Sequence, residues 1–503
     1  MLGRGSQGVE QDPGLHDLSR PEAEDQAILA CLRGAPPAAG GLWGPSVPER
    51  PAGPVPERAG VGPGPSLSER GLARARAQGR GTVGQEVALL TVEEAQARIL
   101  ADVPLQPPER VPLAQAAGRV LAVDVISAVD VPPWDNSAMD GYAVIAGDTD
   151  EGEVRLSLLE VVGAGAVAER VVTPGAAIGV MTGAPMPEGA DAVVMVEDTD
   201  GAAEGAVCVR GRARPGQHIR RRGEDVASGS VVLTAGSVLS PAQVGLASSV
   251  GHTGLEVRRQ PVVAILSTGD EIVAPGRPLA PGQIWSSNNA SLVGLVQQAG
   301  AIPLDLGTAP DTLEATIAAI QQAIDAADVV VTTGGVSVGA YDFVKEAFEA
   351  VGGGLSFWKV RMKPGKPLAF GQVGSAPRIP LFGLPGNPVS CMVNFLQFVR
   401  PWLRTSLGDR APHLPVIDAI AGDDFRDRPG RLRLIRVYLE RGERGWIARS
   451  TGSQSSGVLT SMAQADGLML VAIDAPPPSI GDPVRVQLID GALPGSASAD
   501  HGW

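Results

Sequence analysis

The sequence predicts a multidomain protein in which a doubly wound α/β domain is combined with smaller β domains. The prediction rests on the length of 503 residues, on strand–helix alternation between residues 260 and 405, and on short alternating strands before and after it. Because domains usually hold about 100–200 residues, the chain should contain about three or four. The hydrophobic fraction of 44% permits substantial cores, although aromatic residues contribute only 4%.

The first half of the chain divides into three kinds of sequence. Residues 1–86 are rich in Pro, Gly, Ala, Arg and Glu, a composition that buries too little apolar surface to offset its ordering entropy, so we predict disorder. Ordered structure should begin near "LLTVEEAQARIL", where Thr91 and Glu94 have the spacing of a helix-opening capping box. From Gly141 to Val209, short apolar runs punctuated by Gly and Pro predict a small β domain.

Residues 260–405 alternate between predicted strands and predicted helices. The strands are "PVVAILSTGDE", "AIPLDLG" and "DVVVTTGG". The helices are "SSNNASLVGLVQQAGA", with a serine cap, and "DTLEATIAAIQQAIDAA", with Asp311 as its cap and Glu314 after it. One face of the second helix carries Leu313, Ile317, Ile320 and Ile324. This alternation gives a mostly parallel sheet that binds ligands beyond the carboxyl ends of its strands.

After Asp409 no further helix is predicted. The segments "RLRLIRVYLE", "GWIARS", "GLMLVAID" and "DPVRVQLID" alternate like the strands of a small β barrel or sandwich. The last residues, "GALPGSASADHGW", are expected to form a frayed tail.

Charge and cysteine usage exclude several classes of function. A net charge of −14 argues against general binding of nucleic acid or anionic membranes, although a local lysine cluster can still bind an anionic small molecule. The three cysteines are far apart and form no C-x-x-C pair, which suggests neither a disulfide framework nor a zinc site. No apolar run approaches the ~20 residues of a transmembrane helix and no signal peptide is evident, so a cytoplasmic protein is expected.

The segment "DVVVTTGGVSVGAYDFVKEAF", from Asp328 to Phe348, reads as a buried strand, a glycine-rich loop and a helix. Such loops hold anions because backbone N–H groups and the helix dipole point at the ligand. The loop lacks the G-x-x-x-x-G-K-[ST] pattern of a P-loop and has Asp342 where that pattern has lysine. Its candidate anion-binding residues are Gly334, Gly335, Ser337 and Gly339.

The segment "FWKVRMKPGKP" places Lys359, Arg361 and Lys363 at alternate positions, so a strand would carry all three cations on one face. Lys366 follows on a Pro-Gly turn. One interpretation is a solvated edge strand whose lysines discourage aggregation. Proximity to a glycine loop in an acidic protein favours the other interpretation, which is an anion-binding cluster.

Asp270 and Asp342 both follow predicted strand ends. Helix N-capping is the common role for such acids, but two of them at one sheet edge near lysines suggest Mg²⁺ held between carboxylate and phosphate oxygens. Farther along, "LPGNPVS" places Pro385, Gly386 and Asn387 before a helix that starts near Pro388. That segment is either a turn with proline at the first helical position or a second oxyanion cradle.

Several segments together resemble the MoeA-type molybdopterin molybdenumtransferases, the family that includes the E domain of gephyrin. The segments occur in the family's order and span most of residues 88–490. They are "DNSAMDGYAV" (135–144), "MTGAPMPEGADAVVMVED" (181–198), "RRRGEDV" (220–226), "STGDEIV" (267–273), "TTGGVSVGAYDFVK" (332–345), "FWKVRMKPGKPLAFG" (357–371) and "LPGNPVS" (384–390).

The resemblance implies an elongated linker domain with an inserted β domain, a doubly wound molybdopterin-binding α/β domain and a C-terminal β domain. The boundaries expected on this basis are 1–86 for the extension, 87–130 with 212–258 for the discontinuous linker domain, 131–211 for the inserted β domain, 259–408 for the α/β domain, 409–491 for the C-terminal β barrel or sandwich, and 492–503 for the tail.

The implied activity is a step of molybdenum cofactor biosynthesis. The enzyme would insert molybdate into adenylylated molybdopterin with Mg²⁺-dependent release of AMP, as a homodimer whose active site lies between subunits. A molybdopterin adenylyltransferase and molybdoenzymes would be its protein partners. Two alternatives remain: a molybdopterin adenylyltransferase, which shares the α/β domain type, and a non-catalytic scaffold related to gephyrin.

The resemblance also assigns roles to residues. Asp270 and Asp342 would bind Mg²⁺ or assist adenylate cleavage, and Lys359, Lys363 and Lys366 would grip phosphate or molybdate. Residues expected to act in metal insertion from the partner's β domain are Asp140, Thr182 and Glu224. Residues of a C-terminal loop expected to face the site are Ser453 and Ser455, within "STGSQSSG".

One segment departs from the family pattern. The family often carries an acid in a "Q-I-[YF]-[DN]-[ST]-N" segment, whereas this chain has "QIWSSNN", with Ser286 and Ser287 before Asn288. A ligand or hydrogen-bond acceptor is therefore expected to be lost there, while Asn288 is kept.

Overall fold

A computed structural model describes most of the chain beyond the N-terminal extension. The described residues are 89–163, 165–335, 343–373 and 378–495. The predicted disordered segment 1–86 lies outside them, as do Ser337, Gly339 and Asp342.

Residues 89–135 form short strands and a capped helix. These elements are β1 (Leu89–Leu90), α1 (Val92–Leu100), β2 (Pro108–Pro112), a 3₁₀ turn (Leu113–Gln115) and β3 (Val125–Ile126). At the start of α1, the Thr91 hydroxyl accepts from the Glu94 N–H at 3.2 Å, and the Glu94 carboxylate accepts from the Thr91 N–H at 2.8 Å. The predicted capping box is therefore confirmed.

The β-rich segment predicted between Gly141 and Val209 forms a six-stranded sheet. The elements of this region are β4 (Asn136–Ser137), β5 (Gly141–Val144), a 3₁₀ turn (Ala146–Thr149), β6 (Glu153–Val162), β7 (Ala176–Val180), β8 (Ala192–Met195), a 3₁₀ turn (Val196–Asp198), β9 (Thr199–Ala203) and β10 (Ala206–Arg210). The strand order is β8-β5-β7-β6-β10-β9. A Cβ at Gly141 would lie 2.0 Å from the Val194 carbonyl oxygen, so the close approach of β5 to β8 requires glycine.

The chain then returns and pairs with its own earlier strands. The returning elements are β11 (Ile219–Arg220), β12 (Val231–Leu233), α2 (Pro241–Ser249) and β13 (Gly254–Arg258). β11 pairs with β4, β12 with β3 and β13 with β2, all antiparallel. The segments that precede and follow the six-stranded sheet in the sequence are thus hydrogen-bonded to each other.

Residues 260–406 contribute six strands to a mixed seven-stranded sheet that has helices on both faces, and β1 is the seventh strand. The elements are β14 (Val262–Thr268), β15 (Ile272–Val273), β16 (Ile284–Trp285), α3 (Asn288–Gln298), β17 (Ile302–Ala309), α4 (Leu313–Ala326), β18 (Val329–Thr333), α5 (Phe343–Ala350), β19 (Gly354–Val360), β20 (Met362–Lys363), β21 (Pro367–Val373), β22 (Ile379–Leu384), α6 (Pro388–Asn394), a π-helical segment (Phe395–Val399) and α7 (Arg400–Ser406).

In this sheet the strand order is β1-β19-β21-β22-β18-β14-β17, and β21 is antiparallel to both its neighbours. Along β18, Val329 and Val331 belong to the core packed against α3 and α6, whereas Val330 belongs to the core packed against α4 and α5. Burial on both faces explains why β18 reads as a continuous apolar run. The predicted doubly wound α/β fold is confirmed.

The predicted helix caps need correction. Helix α4 is capped by Thr312, whose hydroxyl accepts from the Ala315 N–H at 3.2 Å, and not by Asp311. The backbone N–H of Asp311 instead donates to Asp270. Ser287 occupies the N-cap of α3, but its side chain makes no capping hydrogen bond.

The C-terminal region is a closed barrel. Its elements are β23 (Val416–Ala421), β24 (Leu432–Gly442), β25 (Gly445–Ser450), α8 (Leu459–Ala463), β26 (Gly467–Val471) and β27 (Pro483–Leu488). The sheet runs β24-β25-β23-β27-β26, and β26 closes it by pairing with β24. The barrel interpretation is therefore correct, and the prediction that helices end before Asp409 is wrong because α8 follows. Strand β20 pairs with β24 and joins the barrel to the α/β sheet.

Among the described residues, no helix is both long and apolar enough to cross a membrane.

Candidate active site

A cavity of about 840 Å³ lies beyond the carboxyl ends of β14, β18 and β22. We call it the cradle cavity. The predicted site residues that line it are Gly334, Gly335, Pro385, Gly386 and Asn387. Other lining residues include Thr268, Gly269, Glu271, Trp285, Ser286, Asn288, Asp311 and Thr333. The two glycine loops recognised in the sequence thus face one space, as expected for neighbouring parallel strands.

The loop after β18 requires glycine at two successive positions. Gly334 has φ +95° and Gly335 has φ +64°. A Cβ at Gly334 would lie 2.7 Å from the Thr268 carbonyl oxygen, and one at Gly335 would lie 2.7 Å from a Val344 methyl carbon. The N–H of Gly334 donates to the Leu384 carbonyl at 3.2 Å. This N–H therefore holds the loop against β22 and does not point freely into the cavity.

Asn288 ties the two glycine loops together. Its side-chain Nδ2 donates to the Thr333 hydroxyl at 2.8 Å and to the Gly386 carbonyl at 2.9 Å. The Thr333 hydroxyl in turn donates to the Pro385 carbonyl at 3.2 Å. The asparagine that this chain keeps in its unusual "SSNN" segment is thus a structural link at the cavity wall.

Of the two acids predicted to hold Mg²⁺, Asp270 lies within the described residues and Asp342 does not. Asp270 is exposed beside the cavity, and its Oδ1 accepts from the Asp311 N–H at 3.1 Å. Among the described residues, no cluster of three His, Cys, Asp or Glu side chains could hold a metal ion. Mg²⁺, however, is usually bound by one or two carboxylates together with substrate phosphates. Asp270 fits that arrangement, and the buried Ser286 hydroxyl on the cavity wall has no hydrogen-bond partner among the described residues.

A second cavity of about 480 Å³ adjoins the first, since Pro367 and Asn387 line both. We call it the lysine cavity because Lys363 and Lys366 line it. The turn between these lysines needs glycine, because Gly365 has φ +97°. Further lining residues include Arg431, Gln454, Ser455 and Ser456.

The alternation predicted for "FWKVRMKPGKP" is correct. Trp358, Val360 and Met362 are buried, whereas Lys359 is partly exposed and Lys363 is exposed. The segment is not one strand, because β19 ends at Val360 and Lys363 belongs to β20. The edge-strand interpretation is wrong for Lys359, where β19 lies between β1 and β21, whereas Lys363 lies in β20 at the end of the barrel sheet's strand order.

The lysines of this segment have different surroundings. Lys363 is paired with Asp427, its Nζ lying 3.0 and 3.1 Å from the two carboxylate oxygens. Lys359 is not among the residues that line the cradle or lysine cavity. The structure therefore brings Lys363 and Lys366 to the site, but not Lys359.

The loop that carries Ser453 and Ser455 is held by a buried arginine. Arg436 is 1% exposed, and its Nη2 donates to the carbonyl oxygens of Ser453 and Ser455, both at 3.0 Å. Its Nε donates to the Ser461 hydroxyl at 3.0 Å. Burial lowers the pKa of Arg436 to about 10, so it stays charged at neutral pH. Ser455 lines the lysine cavity.

Sequence reasoning missed Arg431 and Arg436. The available signal was the pattern "GRLRLIR", which places basic residues at the start of a strand and in its apolar interior. A charge in an apolar strand needs a specific partner, so Arg436 could have been singled out.

Of the three residues predicted to act from the β domain, Asp140 and Thr182 are hydrogen-bonded to each other. The Asp140 carboxylate accepts from the Thr182 N–H at 2.6 Å and from the Thr182 hydroxyl at 2.8 Å. These bonds lower the pKa of Asp140, the backbone bond being the larger cause. Glu224 is exposed, and its carboxylate accepts from the Arg221 N–H at 2.7 Å. None of the three is among the described lining residues of the cradle or lysine cavity.

Family models match three consecutive parts of the chain. Residues 90–251 match the MoeA N-terminal region (domain I and II), residues 264–405 match a probable molybdopterin binding domain, and residues 418–489 match the MoeA C-terminal region (domain IV).

Known proteins resemble the chain over the same span. Molybdopterin molybdenumtransferase 2 of Mycobacterium tuberculosis is 40% identical over 388 residues, which cover 75% of this chain and 94% of that protein. The molybdopterin molybdenumtransferase of Bacillus subtilis is 38% identical over 370 residues, or 72% of this chain and 85% of that protein. The crystal structure of the molybdopterin biosynthesis MoeA protein from Pyrococcus horikoshii OT3 matches with a TM-score of 0.69 and 32% identity, over 80% of this chain and 100% of that one.

Proposed function

The chain belongs to the MoeA family of molybdopterin molybdenumtransferases, and on this basis we propose that it inserts molybdenum into molybdopterin during molybdenum cofactor biosynthesis. The substrate we propose is adenylylated molybdopterin, which reacts with molybdate and releases AMP. The observation that carries this proposal is the continuity of the cradle and lysine cavities through Pro367 and Asn387. Together they offer one space with glycine loops on one side and cations on the other.

The chemistry of the two cavities suits cleavage of a phosphate linkage. That reaction needs positive charge on the developing oxyanions and precise positioning, without a covalent nucleophile. Lys366 and Arg431 line the lysine cavity and would bind phosphate or molybdate oxygens. Lys363 would join them after leaving its contact with Asp427.

We propose Mg²⁺ as the cofactor, held by Asp270 and by Asp342, which lies outside the described residues. When bound, the ion would neutralise and orient phosphate oxygens. Asp270 would supply a carboxylate that a hydrogen bond from the Asp311 N–H already orients.

We also propose a homodimer with the active site between subunits. In that arrangement Asp140, Thr182 and Glu224 of one protomer would approach the cradle cavity of its partner. The Asp140–Thr182 hydrogen bonds pre-orient one such carboxylate. We propose a molybdopterin adenylyltransferase and recipient molybdoenzymes as transient partners.

The alternative functions are not favoured. An adenylyltransferase of the shared α/β type would not require the N-terminal and C-terminal MoeA regions that match here. A purely structural scaffold would not require the lysine cavity beside the glycine loops.

The full-length protein can be tested with adenylylated molybdopterin, Mg²⁺ and molybdate while AMP is followed. We expect AMP release that depends on molybdate and is abolished in Asp342→Asn. AMP release indifferent to molybdate, or consumption of ATP with unadenylylated pterin, would contradict the proposed function.

A binding experiment tests the role of Lys363. Lys363→Ala should weaken binding of the pterin phosphate by about tenfold, because a charge-assisted hydrogen bond is lost. Arg485→Ala, a change at an exposed cation on β27, is the control and should bind normally. If Lys363→Ala binds the pterin phosphate as tightly as the wild type, Lys363 does not bind substrate and serves only in its ion pair with Asp427.

A further inference from the structure

A third cavity, of about 820 Å³, opens on the C-terminal barrel and is not explained by the pterin site. We call it the arginine groove. Its lining residues are Lys363, Phe425, Arg426, Asp427, Arg428, Pro429, Arg431, Arg433 and Pro477. Lys363 and Arg431 also line the lysine cavity, so the groove and the substrate site are neighbours.

The groove concentrates positive charge in an acidic protein. Five lining residues are cations and one is a carboxylate, although the chain carries a net charge of −14. That carboxylate, Asp427, is already occupied: it pairs with Lys363 at 3.0 Å and accepts from the Arg428 N–H at 2.7 Å. Arg426, Arg428 and Arg431 line the groove and are exposed to solvent.

Arg433 is the strongest indication of a missing ligand. It is 1% exposed, and its Nη2 donates to the carbonyl oxygens of Ala472 and Ala475 at 3.1 and 2.5 Å. Its Nε and Nη1 are buried and have no hydrogen-bond partner among the described residues. A buried charge with unsatisfied donors is costly. Its persistence next to other cations indicates an acceptor that the described residues do not supply.

We propose that the arginine groove binds a tetrahedral oxyanion of two negative charges. Arginine presents forked N–H donors that match such an anion. The groove would hold the anion over Arg433 and between Arg426 and Arg428. Because a negatively charged protein repels a dianion, a local positive groove raises the concentration of the anion next to the substrate site. This supply role for molybdate rests on the proposed function, whereas the binding of oxyanions does not.

Calorimetric titration of the full-length protein at low ionic strength tests the groove, with sodium molybdate, sulfate and phosphate as separate probes. The test variant is Arg426→Gln/Arg428→Gln. The matched control, Arg444→Gln/Arg485→Gln, removes the same charge from exposed positions that do not line the groove. We expect the test variant to lose about tenfold or more in oxyanion affinity, and the control to stay within about twofold of wild type.

A second variant, Arg433→Leu, guards against loss of binding through misfolding. Because Arg433→Leu also removes the donor of the Ala472 and Ala475 carbonyls, its melting temperature without anion should be lower than that of the wild type, so each protein is compared with its own anion-free value. Oxyanion should raise the melting temperature of the wild type by mass action and raise that of Arg433→Leu less, since the variant loses the buried arginine of the groove but keeps the cations of the lysine cavity. An equal rise in both proteins would overturn the proposal.

The possible outcomes separate the groove from the enzymatic function. Unchanged affinity in the double variant, or an equal loss in the matched control, refutes the groove even if AMP release depends on molybdate. Loss of affinity in the double variant alone supports the groove even if AMP release ignores molybdate. Tighter binding of molybdate than of sulfate and phosphate supports the supply role, and equal binding of all three supports a general oxyanion site.

Discussion

Replacing Asn288 with alanine should loosen the wall of the cradle cavity, because one side-chain amide holds both glycine loops. Its Nδ2 donates to the Thr333 hydroxyl and to the Gly386 carbonyl, at 2.8 and 2.9 Å. Alanine removes both bonds. Aspartate keeps the shape of the side chain but has no donor, and it places a negative charge beside two oxygen atoms.

The magnitude follows from these two bonds. A hydrogen bond contributes about 0.5–1.5 kcal/mol net, so Asn288→Ala should lower the free energy of unfolding by about 1–3 kcal/mol. Asn288→Asp should lower it at least as much, because the carboxylate faces the Gly386 carbonyl oxygen without a proton between them. Both variants should also raise the KM for the pterin substrate, since the Pro385–Asn387 loop loses its tie to α3 and keeps only the Thr333–Pro385 side-chain bond.

Urea unfolding measures the change, and a double-mutant cycle with Thr333→Val isolates the bond between the two side chains. We expect a coupling energy of about 0.5–1.5 kcal/mol between positions 288 and 333. If Asn288→Ala and Asn288→Asp unfold like the wild type, or if the cycle shows no coupling, Asn288 does not join the loops.

Three further predictions concern the loop glycine, the buried arginine and an exposed carboxylate. Gly334→Ala should destabilise the protein by about 1–3 kcal/mol, because the positive φ of Gly334 and the nearby Thr268 carbonyl both oppose a Cβ. Thermal unfolding measures the loss, with an alanine change at an unstrained glycine as the control. A Gly334→Ala variant as stable as the wild type would contradict the prediction. Arg436→Gln should cost about 3–5 kcal/mol, since a buried hydrogen-bonded charge is removed, and should slow AMP release; a variant of full stability and activity would show that the serine loop holds its shape unaided. The Thr182 bonds lower the pKa of Asp140 from its ordinary value of 3.8, so the Asp140 carboxylate stabilises the protein above pH 3.8 and loses this effect as the pH falls through the folded pKa. The difference in melting temperature between wild type and Asp140→Asn should therefore shrink in acid. A difference that stays constant with pH would refute the assignment.

Much of the fold could be read from local patterns. The apolar run of β18, the helical spacing of Ile320 in α4 and the Thr91–Glu94 box each reflect neighbours within a few residues. The glycines of the loop after β18 were also visible, because their backbone conformation excludes a Cβ. In these cases the residue types themselves restrict the local conformation.

Other features depended on partners far away in sequence. The cap of α4 moved from Asp311 to Thr312 because the N–H of Asp311 is drawn to Asp270, 41 positions earlier. Strand β1 was not expected in the α/β sheet, but its two residues pair with β19. A strand of two residues is too short to show an alternating pattern in the sequence, so its place in the sheet depends on pairing with β19.

The candidate site shows the same division. The sequence by itself determined which chemistry was present: glycine loops at strand ends, lysines on a Pro-Gly turn and acids beside them. Only the tertiary structure decided that Asn288 joins two loops, that Lys363 is paired with Asp427, and that Arg431 and Arg433 of the barrel lie next to the lysine turn. The physical reason is that strand ends are set by local backbone preferences, whereas the approach of β20 to β24 is set by the packing of separate parts of the chain.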